Sequence, residues 1–267
     1  MDTATHRRGA DRDQHVTLRL WGLEALWTPA HVRANPYSYP VPTYSALKGV
    51  LRAIYWKPPF EYEPLWVSVL KPIRYETRSM IGVVNTLAQA DKDPDGNGGR
   101  TRYTQSILWD VDYVVRARLV KNPHYPHKTL HAYHQEILRR MRRGEQYGPL
   151  YMGKSEFAAN YELIEEGDEL PAPQPITMDL GSMLFDQIPL QLGSWRSRRR
   201  WRKRKAAGRK VSKREPWKQE LMPVFHKATM QGGVVHFPAD LMDRYRDQIF
   251  EARAKTHQDT RGDHVAA

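Results

Sequence analysis

The chain has 267 residues, 40% of them hydrophobic, with a formal net charge of +12 and a pI near 9.8. That is enough to bury a core in one sizeable domain, or in a domain with an appendage. There is no cysteine, which excludes disulfides, thiolate metal sites and a cysteine nucleophile, and no run approaches the ~18 apolar residues of a membrane span.

Residues 1–14 are charged throughout and read as a disordered leader, not a signal peptide; the expected location is a prokaryotic cytoplasm. His15 to Leu23, HVTLRLWGL, alternates as a strand, with Val16, Leu18 and Leu20 on one face. A proline- and aromatic-rich loop follows, and Thr43 or Ser45 can cap a helix. Leu47, Val50, Leu51 and Ile54 give that helix one apolar face, and Pro58 ends it. Leu65 to Tyr75 reads as a strand, residues 89–102 as a loop or hairpin tip, and Tyr103 to Lys121 as a long alternating strand. A second helix spans Leu130 to Arg143 and closes at Gly144. A strand around FAANYELIE completes the order β-α-β-β-α-β, the ferredoxin-like pattern of an α+β protein. Beyond an acidic linker, short strands around Met183 and Val234 form a small C-terminal β-subdomain. The expected domains are therefore 15–167 and 176–240, with a polar tail over 241–267.

The charge is concentrated in one place. Residues 196–218 hold thirteen Lys/Arg and a single acid, Glu215, so the rest of the chain is formally neutral. This segment, with Arg198, Arg199, Arg200, Arg202, Lys203, Arg204 and Lys205 and with Trp195, Trp201 and Trp217 interleaved, suits a nucleic-acid clamp. The alternative is a solvated loop. It interrupts the C-terminal β-region, so it is expected to project as an insertion over 195–218.

Three other features carry possible chemistry. Tyr44, Lys48, Arg52 and Tyr55 share a face of the first helix, a ridge of phenols and cations that suits RNA, or else an ordinary amphipathic border. His127 and His131 have zinc-compatible spacing, but Pro126 opposes a helix there and no further ligands complete a set. The DKDPDGNGGRTR stretch imitates a calcium loop but places Arg102 where a bidentate glutamate is needed. No metal or cofactor is expected. His134 falls within the stripe of Leu130, Ile137, Leu138 and Met141, which by pattern alone makes it a core histidine.

The stretch SYPVPTYSALKGVLRAIYWKPPF closely resembles the hallmark segment of the type I-C (Dvulg-subtype) Cas-five family of CRISPR-associated proteins. Further stretches resemble that family in order: RYTQSILWDVDYVVRARL, RRMRRGEQYGPLYMGKSEFAANYEL, LGSMLFDQI and VFHKATMQGGVVHFP. The resemblance implies an RRM-like ferredoxin fold with a C-terminal β-subdomain. It also implies a metal-independent endoribonuclease that cuts precursor CRISPR RNA within the repeat. In the reaction so implied the ribose 2′-OH attacks the adjacent phosphorus, and the subunit is expected to stay on the 5′ handle within the Cascade complex. The alternative is a non-catalytic subunit that only binds the handle. Implied partners are the repeat hairpin and 5′ handle of CRISPR RNA, the backbone and large Cascade subunits, and target DNA, with no membrane.

By the same resemblance, the catalytic tyrosine is Tyr55 and the catalytic histidine is His134, which overturns the core reading. The family's lysine is replaced by Tyr133, and Lys128 is a candidate substitute. Lys57, Arg139, Arg140, Arg142, Arg143 and Lys154 join Tyr44, Lys48 and Arg52 as expected RNA-binding residues.

Overall fold

The structure, a computed structural model, describes residues 14–30, 32, 35–83, 100–125, 129–191, 204 and 220–261. The leader through residue 13, the expected turn at 89–99, His127, Lys128 and the basic segment other than Arg204 lie outside these residues. Arg204 itself is exposed.

The elements run β1 (His15–Ala25), α1 (Tyr44–Ile54), β2 (Phe60–Val69), β3 (Tyr75–Val83), β4 (Arg100–Lys121), α2 (Leu130–Arg142) and β5 (Asn160–Ile164), then β6 (Met178–Gln191), β7 (Glu220–Gln231), β8 (Val234–His236) and α3 (Ala239–Arg261). Among the described residues they form a mixed α+β protein with three helices and one eight-stranded sheet. The sheet order is β5-β1-β4-β2-β8-β7-β6, with β3 paired to β4. Every strand pair in it is antiparallel.

Strand β4 sits between β1 and β2, and β1 sits between β4 and β5. The two β-α-β segments β1-α1-β2 and β4-α2-β5 are thereby interlocked. Val16, Leu18 and Leu20 of β1 and Val115, Ala117 and Leu119 of β4 are buried in the same core as Leu47, Leu51 and Ile54 of α1 and Ile137 and Met141 of α2.

Three differences from the sequence expectation have physical causes. The strand expected from Leu65 begins at Phe60 and runs through Pro64, where the register shifts before Trp66; a bulge tolerates the missing N–H. Beyond Val69 the chain breaks and resumes as β3, an additional strand on the first half of β4. β4 serves both neighbours in succession, and Asp110 sits near its mid-point with φ 54°, a left-handed conformation that bends the strand. The expected polar tail is a docked helix over its first turns. Met242 and Phe250 of α3 are buried, and Leu241, Tyr245 and Ile249 pack against the core.

β8 pairs with β2 at Trp66, Val67 and Ser68, which joins the C-terminal strands to the same sheet. β6 and β7 are paired up to Gln191 and Glu220, the described strand residues on either side of the basic insertion.

The ridge expected on α1 faces inward. Tyr44 is buried and stacks on Phe185 at 4.2 Å. Lys48 is buried and donates to Asp186 Oδ2 at 2.6 Å. Arg52 makes two bonds to Glu61, at 2.9 and 2.8 Å. Next to Glu61, Glu63 accepts from Arg118 and, through two bonds, from Arg246 of α3. These residues dock α1 and α3 on β2 and β6, so Tyr44 and Lys48 are not an RNA surface.

Removing one partner of a buried pair strands the other charge, at a cost of about 3–5 kcal/mol. Lys48→Ala is therefore expected to lower the unfolding free energy in urea by that amount. Lys48→Met combined with Asp186→Leu is expected to recover most of the loss.

Candidate active site

Helix α1 begins at Thr43, whose Oγ1 accepts from the Ala46 N–H at 3.2 Å. It ends at Ile54, because Tyr55 is extended (φ −160°, ψ 129°) although its N–H still reaches Leu51 O. The last carbonyls of α1 are capped from elsewhere. The Tyr147 N–H bonds Ala53 O and Ile54 O, and the Gly148 N–H bonds Ala53 O. The same glycine-punctuated loop returns past β1 at Gly153, where φ is +90° and a Cβ would run into the Leu26 carbonyl.

The turn after α1 is equally fixed. Asn122, at the end of β4, donates its side-chain amide to Pro58 O and its N–H to Pro59 O. The Phe60 N–H bonds Lys57 O, and the Tyr62 hydroxyl donates to Tyr55 O at 2.8 Å. Tyr55 and Lys57 therefore sit on backbone held from three sides.

One face of α2 meets this turn. Tyr133, Glu136 and Arg140 fall at i, i+3 and i+7. The Tyr55 ring lies against Phe60, and Phe60 lies 5.4 Å from the Tyr133 ring. Two cations approach the Tyr55 ring, Lys57 Nζ 5.2 Å and Arg140 Cζ 4.7 Å from its centroid. Glu136 ties them together: its Oε1 is 3.2 Å from Lys57 Nζ and 3.9 Å from Arg140 Nε.

The Tyr55 phenol is not presented to solvent as the sequence suggested. The residue is 5% exposed and its hydroxyl is buried. Lys57 and Glu136 lie close enough to perturb that hydroxyl, but neither completes a hydrogen bond of good geometry. Burial first, and then Glu136, push the phenol above its usual value, against the pull of Lys57. The Tyr55 hydroxyl and Glu136 in turn hold the Lys57 ammonium above its usual range. Burial would raise the Glu136 carboxyl, but Tyr55 and Lys57 outweigh it and keep it below. The cations of this cluster reach solvent most, the Lys57 and Arg140 side chains being 44% and 35% exposed against 21% for Glu136.

His134 has other surroundings. It is half-buried, and its Nε2 lies 2.7 Å from His15 O. Since a carbonyl can only accept, Nε2 carries the proton and Nδ1 the lone pair. Nδ1 is buried without a hydrogen-bond partner among the described residues. The ring borders a cleft of about 430 Å³ with His15, Thr17, Arg116, Arg142 and Glu165. Burial holds the imidazole below its usual value, although the His15 carbonyl pulls the other way.

The remaining expected sites are dispersed. Arg142 is taken up by a two-bond pair with Glu165, and Arg143 approaches Glu145 at 3.5 Å. Arg139 is exposed. Lys154 donates to Gln105 at 2.7 Å. Glu136 escaped the sequence reading, although its spacing from Tyr133 and Arg140 on one helix face was a usable signal. No group of three or more potential metal ligands occurs among the described residues, and no described helix is long and apolar enough to cross a membrane.

His134 and His226, also lowered by burial, give folding a pH dependence. Both bind a proton less readily when folded, so below about pH 6.5 the unfolded chain holds more protons. The unfolding free energy is expected to be full above that pH and to fall as pH drops through the native values. Urea titrations at pH 7.5, 6.5 and 5.5 check this, and His134→Asn is expected to flatten its share of the slope.

Residues 15–238 match the family described as CRISPR-associated protein (Cas_Cas5). A Thermus thermophilus protein named CRISPR pre-crRNA endoribonuclease Cas5d is 32% identical over 177 residues, covering 64% of this chain and 72% of its own. A Mannheimia succiniciproducens protein of the same name is 31% identical over 188 residues, covering 64% and 84%. Among solved structures, a CRISPR-associated protein superposes with a TM-score of 0.57 at 22% identity, covering 84% of this chain and 91% of its own. A functionally uncharacterized protein from Streptococcus mutans gives 0.56 at 22%, covering 84% and 92%. The structures speak to fold alone. The family match and the two relatives show that this chain belongs to the Cas5d (type I-C Cas5) family of CRISPR-associated proteins.

Proposed function

We propose that this protein cleaves precursor CRISPR RNA within the repeat without a metal and remains on the 5′ handle as a subunit of a surveillance complex. The observation that carries the reading is the cluster in which Tyr55 and Lys57, inside the family's hallmark segment at the end of α1, meet Glu136 and Arg140 of α2. Membership in a family whose named relatives are endoribonucleases supports it. The interlocked order β5-β1-β4-β2 supports a ferredoxin-like, RRM-like domain, with residues 176–240 as its C-terminal β-subdomain. The basic insertion over 195–218 serves as the nucleic-acid clamp.

In this reading the 2′-oxygen bonds to phosphorus as the P–O5′ bond breaks, leaving a 2′,3′-cyclic phosphate and a 5′-OH. His134 is the general acid/base, its Nδ1 lone pair accepting the 2′ proton while water supplies the proton that O5′ takes as it leaves. That atom is buried, so the step requires the cleft to admit the substrate. Tyr55, raised above a normal value near ~10, is no base at neutral pH, and its part is orientation.

A second reading rests on Tyr133, which stands where the family has its lysine. It is buried beside Phe60 and brings no charge. This favours a subunit that holds the handle without cutting.

Purified protein incubated with its cognate repeat RNA in EDTA separates the two readings. Specific cleavage with a 5′-OH on the downstream product is expected, slowed at least ~100-fold by His134→Ala with binding retained. A wild type that binds the repeat and never cuts it supports the handle-binding subunit instead.

A further inference from the structure

We infer that Lys57 and Arg140 are the cations that contact the reacting phosphate, and that Tyr55 acts by positioning them. This rests on the endoribonuclease reading above and says which groups stabilise its transition state.

Four observations lead there. Lys57 Nζ and Arg140 Cζ approach one ring, at 5.2 and 4.7 Å from its centroid, though they come from the α1–β2 turn and from α2. The hydroxyl of that ring is buried, while both cations are partly open to solvent. Neither cation is saturated. The Lys57 ammonium has three donors, and its contacts with Glu136 are long, at 3.2 and 3.4 Å. Arg140 Nε is buried without a hydrogen bond among the described residues, and its NH1 meets Glu145 at 3.2 Å. The backbone carrying Lys57 is anchored by Asn122 and Phe60.

A held pair of cations with spare donors fits the charge that builds on the non-bridging oxygens as phosphorus becomes five-coordinate. Fixed donors of this kind require little reorganisation during reaction. Glu136 keeps the two cations together against their mutual repulsion, and the Tyr55 ring face sets their approach. A cation at Tyr133 is then unnecessary, because Lys57 and Arg140 reach the same cluster from the turn and from the next helical turns.

The test is single-turnover cleavage of repeat RNA in EDTA. Lys57→Gln and Arg140→Gln are each expected to slow the cut at least ~100-fold, with affinity for uncleavable 2′-deoxy RNA changed less than ~5-fold. Lys57→Arg is expected to restore at least ~10-fold of that loss. Tyr55→Leu is expected to fall by a similar factor and Tyr55→Phe to recover at least ~10-fold of it, since the ring and not the hydroxyl does the positioning. A phosphorothioate at the scissile position supplies a readout that misfolding does not move. The wild type should discriminate between the two diastereomers, and Lys57→Gln should not. A wild type that cuts, with Lys57→Gln and Arg140→Gln cutting at its rate, overturns the inference alone. A wild type that never cuts overturns the endoribonuclease reading and the inference with it.

Discussion

Three carboxylates are buried beneath α1 and α3, and the way each finds a cation governs how the molecule is assembled. Glu61 and Glu63 lie on β2 and Asp186 on β6. Their partners are Arg52 and Lys48 of α1, Arg118 of β4 and Arg246 of α3. Burying such charges carries a desolvation cost that only complete pairing offsets. Sliding α1 by one turn, or rotating it, would leave at least one carboxylate bare. The network thus acts as a register device, holding α1 in one orientation relative to residues more than a hundred positions later in the chain.

That orientation decides where α1 ends in space. With Tyr44 locked on Phe185 and Lys48 on Asp186, the helix must deliver Tyr55 to the face of α2 that carries Tyr133, Glu136 and Arg140. The helix ends at Ile54, and Asn122 ties the turn at Pro58-Pro59 to β4. Rigidity at this turn follows from hydrogen bonds to elements on either side. The ionic network and the candidate site are therefore one construction: the first aims the helix and the second receives its end.

Much of this was legible in the sequence because it is local. The apolar stripe and Thr43 cap of α1, the alternation of β4 and the extent of α2 all follow from periodicity and capping. What failed depended on distant partners. The helical wheel places Tyr44, Lys48 and Arg52 on one face correctly, but nothing local reveals that Glu61 and Asp186 lie opposite, so the sequence leaves an RNA-facing ridge and an amphipathic border both open. Tyr55 was projected along a helix that had already ended, which is why its phenol is buried and not presented. The α3 stripe of Leu241, Tyr245 and Ile249 was present at i, i+4 and i+8, hidden by the polarity of the residues between. The family resemblance supplied His134 and Tyr55 as a pair. The structure gives them different neighbours, Tyr55 the cation cluster and His134 the cleft beside His15.

The most direct test of this account is a structure of the protein bound to repeat RNA carrying a 2′-deoxy sugar at the cut site. The scissile phosphate is expected within hydrogen-bond reach of Lys57 Nζ and the Arg140 guanidinium, with the 2′ carbon turned toward His134. A scissile phosphate seated elsewhere, with Lys57 and Arg140 still held by Glu136 and touching no RNA, would contradict it.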